Sequence, residues 1–64
     1  MQKYYNLVER VGISEKSIEE ATENAVLTLP VETVSWFEVK EIRGRVTQDK
    51  KLEYQVTVNI GTKS

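Results

Sequence analysis

The chain has 64 residues, of which nine are basic, ten are acidic and none is Cys or His. A domain this short buries only about 60% of the surface that its unfolded chain exposes, and it has no disulfide or structural zinc to support it. We therefore expect one domain, spanning residues 1–64, that gains stability by self-association. The net charge of −1 argues against a nucleic-acid-binding module, which carries a clear basic excess.

Hydropathy argues against a membrane protein. No apolar segment approaches the roughly 20 residues that a spanning helix needs, and no signal-peptide pattern opens the sequence. The absence of Cys fits a reducing compartment. We expect a soluble, cytoplasmic protein without a membrane or nucleic-acid partner.

The first predicted elements are a strand and a helix. Residues 4–11 are rich in aromatic and β-branched side chains, which predicts a strand that Gly12 is expected to end. Ser17 opens a Ser-Ile-Glu-Glu sequence, which matches the capping-box pattern, and Ser14 is the alternative N-cap. A helix is therefore predicted to begin at one of these two serines.

That helix is predicted to be apolar on one side. Apolar residues recur at helical spacing from Ile18 to Leu29, whereas the opposite face is acidic. Pro30 is expected to end the helix, because the residue before a proline avoids the α region. Such a helix would lay its apolar side on a sheet.

Two more strands complete the predicted fold. Residues 34–46 predict the second strand, residues 47–51 a polar turn, and residues 52–60 the third strand. The third strand has the cleanest alternation, with one apolar face formed by Leu52, Tyr54, Val56, Val58 and Ile60. We predict an α+β domain of β-α-β-β order, a three-stranded antiparallel sheet packed on one helix.

Trp36, the single tryptophan, is expected on the sheet face opposite the helix. If Phe37 and Val39 face the helix, strand alternation turns Trp36 the other way, and Gln55 shares its face because Val56 faces the helix. An indole can stack on a flat ring, and a carboxamide offers both an acceptor and a donor. The pair suits a planar heteroaromatic ligand such as a flavin, pterin or base, unless the register slips by one residue.

Simpler interpretations of these residues remain open. Tryptophan is enriched at protein interfaces, so Trp36 could seal a subunit contact. Gln55 taken alone could be a solvated strand residue. An interface that encloses a flat ligand would use the indole for both purposes.

Catalysis and metal binding find little support in the sequence. The chain has no His, no Cys and no Gly-rich phosphate loop, its serines lack a recognisable base partner, and Gly44 and Gly61 are isolated turn or bulge candidates. The acidic helix face lacks the spacing of a cation-binding loop. We expect a protein that is not an enzyme and holds no metal.

Short segments spread over nearly the whole chain resemble the dodecins. They occur in the family's order at residues 5, 7–9, 11–12, 17–21, 24–25, 36–39, 43–45 and 54–57. The most specific are Trp-Phe-Glu-Val at 36–39 and Tyr-Gln-Val-Thr at 54–57. Dodecins are small flavin-binding proteins of β-α-β-β fold that assemble into hollow dodecamers.

The resemblance implies a function and a ligand site. The tryptophan matching Trp36 stacks on the isoalloxazine of a flavin, and the glutamine matching Gln55 hydrogen-bonds its pyrimidine edge. The implied role is to store or sequester flavins (riboflavin, FMN or FAD) in a homododecamer and to quench their photochemistry. Arg43 and Arg45 would ordinarily be solvated or pair with neighbours such as Glu41 and Glu53. One of them, Arg45 rather than Arg43 because it shares strand parity with Phe37, could contact a ribityl or phosphate group.

Two departures from the family pattern keep an alternative open. The segment around Pro30 is shorter than in most relatives, and residues 60–64 lack the Phe and acidic residues that often close a dodecin. The alternative is an oligomeric shell without flavin that uses Trp36 only at subunit contacts and binds another ligand or ions.

Overall fold

A computed structural model of the protein describes residues 5–63. The elements are β1 (Tyr5–Ser14), α1 (Ile18–Val26), a short 3-10 helix (Val31–Thr33), β2 (Val34–Val46) and β3 (Leu52–Lys63). The strands form one antiparallel sheet in the order β1-β3-β2. The predicted β-α-β-β fold is confirmed, and residue 4 of the predicted first strand lies outside the described residues.

The strands β1 and β3 both extend farther at their C-terminal ends than predicted. β1 continues through Gly12, which pairs with Val56, and ends at Ser14; the prediction that Gly12 ends the strand is therefore wrong. β3 continues past Ile60 to Lys63. The reason for a glycine inside β1 is the helix above it, since a Cβ there would overlap the Ala21 carbonyl oxygen.

Two serines form the N-terminus of α1. Ser17 is the N-cap, and its hydroxyl accepts a hydrogen bond from the Glu20 backbone N–H at 3.0 Å. Ser14 is buried at the end of β1, where its hydroxyl accepts from the Lys16 backbone N–H at 2.9 Å and donates to the Glu20 carboxylate at 2.9 Å. Glu20 therefore ties the helix to β1, instead of closing the capping box on the Ser17 backbone.

The helix is shorter than predicted. α1 ends at Val26, and the expectation that it continues to Leu29 is wrong. The Thr28 hydroxyl donates to the Ala25 carbonyl at 2.8 Å, and the backbone N–H of Leu29 bonds Val26 at 3.2 Å in a tighter 3-10 turn. A hydroxyl that competes for a helix carbonyl favours termination, so the helix unwinds before Pro30.

The core lies between α1 and the central strand. Its fully buried apolar residues are Ala21, Ala25, Val56, Val58 and Ile60. Phe37 and Val39 do point to the helix side of the sheet, as predicted, but they stay 51% and 41% exposed because α1 lies over β1 and β3. Within residues 5–63, no helix is long and apolar enough to cross a membrane.

We predict that Gly12→Ala destabilises the protein. A Cβ at Gly12 would lie 2.6 Å from the Ala25 backbone nitrogen, so α1 must move off the sheet, at a cost of about 1–3 kcal/mol. Gly44→Ala is the matched control, since its nearest neighbour would be the Glu53 carbonyl at 3.4 Å. Thermal unfolding at one fixed protein concentration measures both; equal midpoints for the two variants would contradict the packing described.

Candidate functional site

Trp36 lies on the sheet face opposite α1, here called the open face. It pairs with Gly61 of β3, whereas its neighbour Phe37 pairs with Ile60, which is buried under the helix. Residues paired directly across an antiparallel ladder point to the same side. Trp36 is 40% exposed, and the predicted position of the indole is confirmed.

The indole of Trp36 rests on the backbone at Gly61. A Cβ built on Gly61 would overlap the ring, nearest to the fusion atom Cε2 and farther from its neighbours Nε1 and Cζ2. This order of distances puts the glycine beneath the ring plane, not beside its edge. Tyr5 adds an edge-on contact, with ring centroids 6.3 Å apart at 72°. One indole face is covered by β3, and the other points away from the sheet.

Gly61 is the functional residue that the sequence analysis missed. It was treated as a turn or bulge candidate because the third strand was predicted to end at Ile60. Continuing the alternation of Gln55 along the strand leads to residue 61 on the open face. A glycine at that position, opposite the only tryptophan, was the available signal.

Arg45 lies on the open face, and the parity argument for it is wrong. The register of β2 against β3 shifts between Val39 and Glu41, which is a β-bulge. One extra residue reverses the alternation, so odd-numbered residues after the bulge point to the open face. Arg45 therefore pairs with Glu53 on the side of Trp36, not on the side of Phe37.

Gln55 belongs to a hydrogen-bonded cluster at the hairpin end of the open face. The Glu53 carboxylate oxygen Oε1 accepts from Arg45 Nε at 2.8 Å and from Gln55 Nε2 at 3.3 Å. The Glu53 side chain is only 15% exposed, against 63% for Arg45. The hydrogen bond from Arg45, followed by that from Gln55, lowers the pKa of Glu53, which keeps it ionised at neutral pH.

Trp36 and Gln55 lie on the same face of the sheet but far apart along β3. Trp36 lies at Gly61, and Gln55 is six residues away along β3. At 3.3–3.4 Å per residue this separation is roughly 20 Å, which exceeds the length of a flavin ring system. Side chains from one chain therefore do not meet on one ring.

An ion pair lies between these two residues. Lys40, at the bulge, donates to the Glu9 carboxylate at 2.8 Å and so crosses over β3 to β1. The hydrogen bond and the charge of Glu9 raise the pKa of Lys40. Beside the pair is a shallow depression of about 440 Å³ that also includes Val11 and Thr57. The middle of the open face is thus polar and paired.

The comparison with known proteins decides the family. The sequence model of the dodecin family matches residues 4–63. A curated dodecin from Thermus thermophilus is 41% identical over 63 residues, covering 95% of this chain and 91% of the relative. This chain belongs to the dodecin family. The family is one of flavin-binding proteins, and the resemblance found in the sequence is confirmed.

Solved dodecins share the fold over almost their whole length. A tryptophan-to-phenylalanine variant of the T. thermophilus dodecin superposes with a TM-score of 0.83 at 39% identity, covering 98% of this chain and 97% of that one. The dodecin from Streptomyces davaonensis gives a TM-score of 0.81 at 28% identity, covering 100% and 97%. The sheet and helix described above are therefore those of a dodecin subunit.

We predict that Gly61→Ala displaces the indole of Trp36. The new methyl group would occupy the space of the ring, so the indole must tilt off the sheet into solvent. Because Trp36 is the only tryptophan, its emission should shift to longer wavelength and become more sensitive to acrylamide. Gly44→Ala is the control; emission of the Gly61 variant that matches the parent would contradict the face-on contact.

Proposed function

We propose that the protein is a non-catalytic flavin-binding protein that stores or sequesters flavins and quenches their photochemistry. The observation that carries this proposal is the indole of Trp36, supported on one face by Gly61 and open on the other. A rigid flat ring with an open face is what stacking on an isoalloxazine requires. Membership of the dodecin family supports flavin as the ligand.

Each proposed site residue has a distinct role. Trp36 stacks on the isoalloxazine, and the electron-rich indole would donate an electron to the excited flavin and then take it back, which returns both to the ground state without photodamage. Gln55 hydrogen-bonds the pyrimidine edge, which presents an N–H beside carbonyl oxygens. Arg45 uses Nε for Glu53, so its terminal nitrogens would reach the ribityl chain or a phosphate of riboflavin, FMN or FAD.

The distances support a site shared between subunits. Since Trp36 and Gln55 of one chain are roughly 20 Å apart, a ring that touches both takes them from two chains. The helix side of β2 also has apolar residues that α1 leaves uncovered: Phe37, Val39, Ile42 and Val46, which are 41–65% exposed. Contiguous apolar surface of this kind favours association. We propose a hollow homododecamer located in the cytoplasm.

We predict that riboflavin fluorescence is quenched on titration with micromolar protein, and that a flat ring at position 36 is required. Trp36→Phe keeps an aromatic ring and should retain much of the affinity. Trp36→Leu keeps an apolar side chain without a ring, and riboflavin affinity should fall by about tenfold or more. Both variants keep an apolar side chain, but only the phenylalanine has a flat ring that can stack on the flavin.

Light scattering on the same samples provides the control for assembly. Twelve copies of the 7.4 kDa chain give a particle of about 89 kDa, and both variants should keep that size. The absence of quenching by the parent protein, or equal quenching by Trp36→Leu, would contradict flavin stacking. A monomeric parent would contradict a site built from two subunits.

A further inference from the structure

The environment of Gln55 determines which end of its carboxamide can meet a ligand. Its side chain donates to the Glu53 carboxylate, two residues earlier on β3 and on the same open face. An ionised carboxylate accepts hydrogen bonds and cannot donate them. Only the NH2 end of the amide can therefore face Glu53, which directs the amide oxygen of Gln55 away from it.

Glu53 is itself held in place. It lies directly across the ladder from Arg45, whose Nε donates to the same oxygen that accepts from Gln55. The bond from Arg45 is charge-assisted and, at 2.8 Å, shorter than the 3.3 Å bond from Gln55. With its side chain 15% exposed, Glu53 is fixed between a cation on β2 and an amide on its own strand.

We propose that Glu53 is a specificity-determining positioning residue that orients the carboxamide of Gln55, so that the site selects planar heterocycles whose edge presents an N–H donor. This proposal rests on the flavin-binding function above and names how the site reads the ring edge. The imide N–H of a flavin meets the requirement, because it can donate to the directed oxygen of Gln55. Arg45 acts on selectivity through Glu53 as well as through any contact of its own.

The test compares riboflavin with 3-methylriboflavin, in which a methyl group replaces the imide hydrogen. Glu53→Met keeps a side chain of similar length but removes the carboxylate acceptor, so the Gln55 NH2 group loses its partner and the amide loses its fixed orientation. The dissociation constant for riboflavin should rise about fivefold, the range of one oriented hydrogen bond, while that for 3-methylriboflavin changes less than about twofold. Any steric effect of the methyl group is common to both proteins and cancels in this cycle.

Three further variants separate orientation from other effects. Glu53→Gln removes the charge but keeps an oxygen that Arg45 Nε still selects, so it should retain most of the selectivity. In a Gln55→Ala background, Glu53→Met should have no further effect on riboflavin binding. Glu9→Gln removes the same charge from another ion pair of the open face, one that bonds Lys40, and should change neither constant by more than about twofold.

The outcomes distinguish this proposal from the proposed function. If the parent protein does not bind riboflavin, flavin binding is wrong and the role of Glu53 is wrong with it. If the parent binds riboflavin and Trp36→Leu binds it about tenfold or more weakly, flavin stacking holds. In that case, equal weakening of both flavins by Glu53→Met, no weakening of either, or the same effect from Glu9→Gln would overturn only the role of Glu53.

Discussion

The contact between the Trp36 indole and the backbone at Gly61 is the constraint on which the site depends. A large ring on a strand face normally moves among rotamers, but here the absence of one Cβ lets the ring lie flat on β3 with Tyr5 against its edge. Burial of one face stabilises the ring, and the same geometry leaves the other face available. Rigid presentation lowers the ordering cost of ligand binding, which favours affinity for flat molecules.

The same strand pairing explains why the chain is suited to self-association. β3 is the central strand, and α1 covers Val56, Val58 and Ile60 on its apolar side, whereas β2 has little contact with the helix. The apolar residues on the helix side of β2 are consequently exposed in a single chain. A small domain with five fully buried apolar residues among residues 5–63 gains stability when copies of the chain cover that side. Copies of the chain would then meet on the helix side of β2 as well as around the ligand site on the open face.

Much of the fold was predictable because it follows from short-range patterns. Alternation in residues 52–60 indicated which side of β3 meets the helix and so placed Gln55 on the open face, and alternation around Phe37 and Val39 placed Trp36 there. The capping serine and the hairpin turn are also local signals; the Thr47 N–H bonds the Lys51 carbonyl at 2.8 Å as such a turn requires. The resemblance to the dodecins also implied the β-α-β-β order that the structure has.

The remaining features depend on contacts between distant segments. No turn residue predicts the β-bulge between Val39 and Glu41, yet this bulge places Arg45 on the open face. Gly12 was predicted to end the strand because the helix that packs against it comes later in the chain, and the sequence pattern around Gly12 does not show that contact. The separation of Trp36 from Gln55 follows only from the register of β2 on β3, which strand parity alone does not determine.

A crystal structure of the protein soaked with riboflavin tests the central claim most directly. The account predicts an isoalloxazine parallel to the indole of Trp36, stacked on the ring face opposite Gly61, with Gln55 of a second subunit at its pyrimidine edge. An isoalloxazine bound away from Trp36, or an indole whose outer face is covered by protein in the riboflavin-bound assembly, would contradict it.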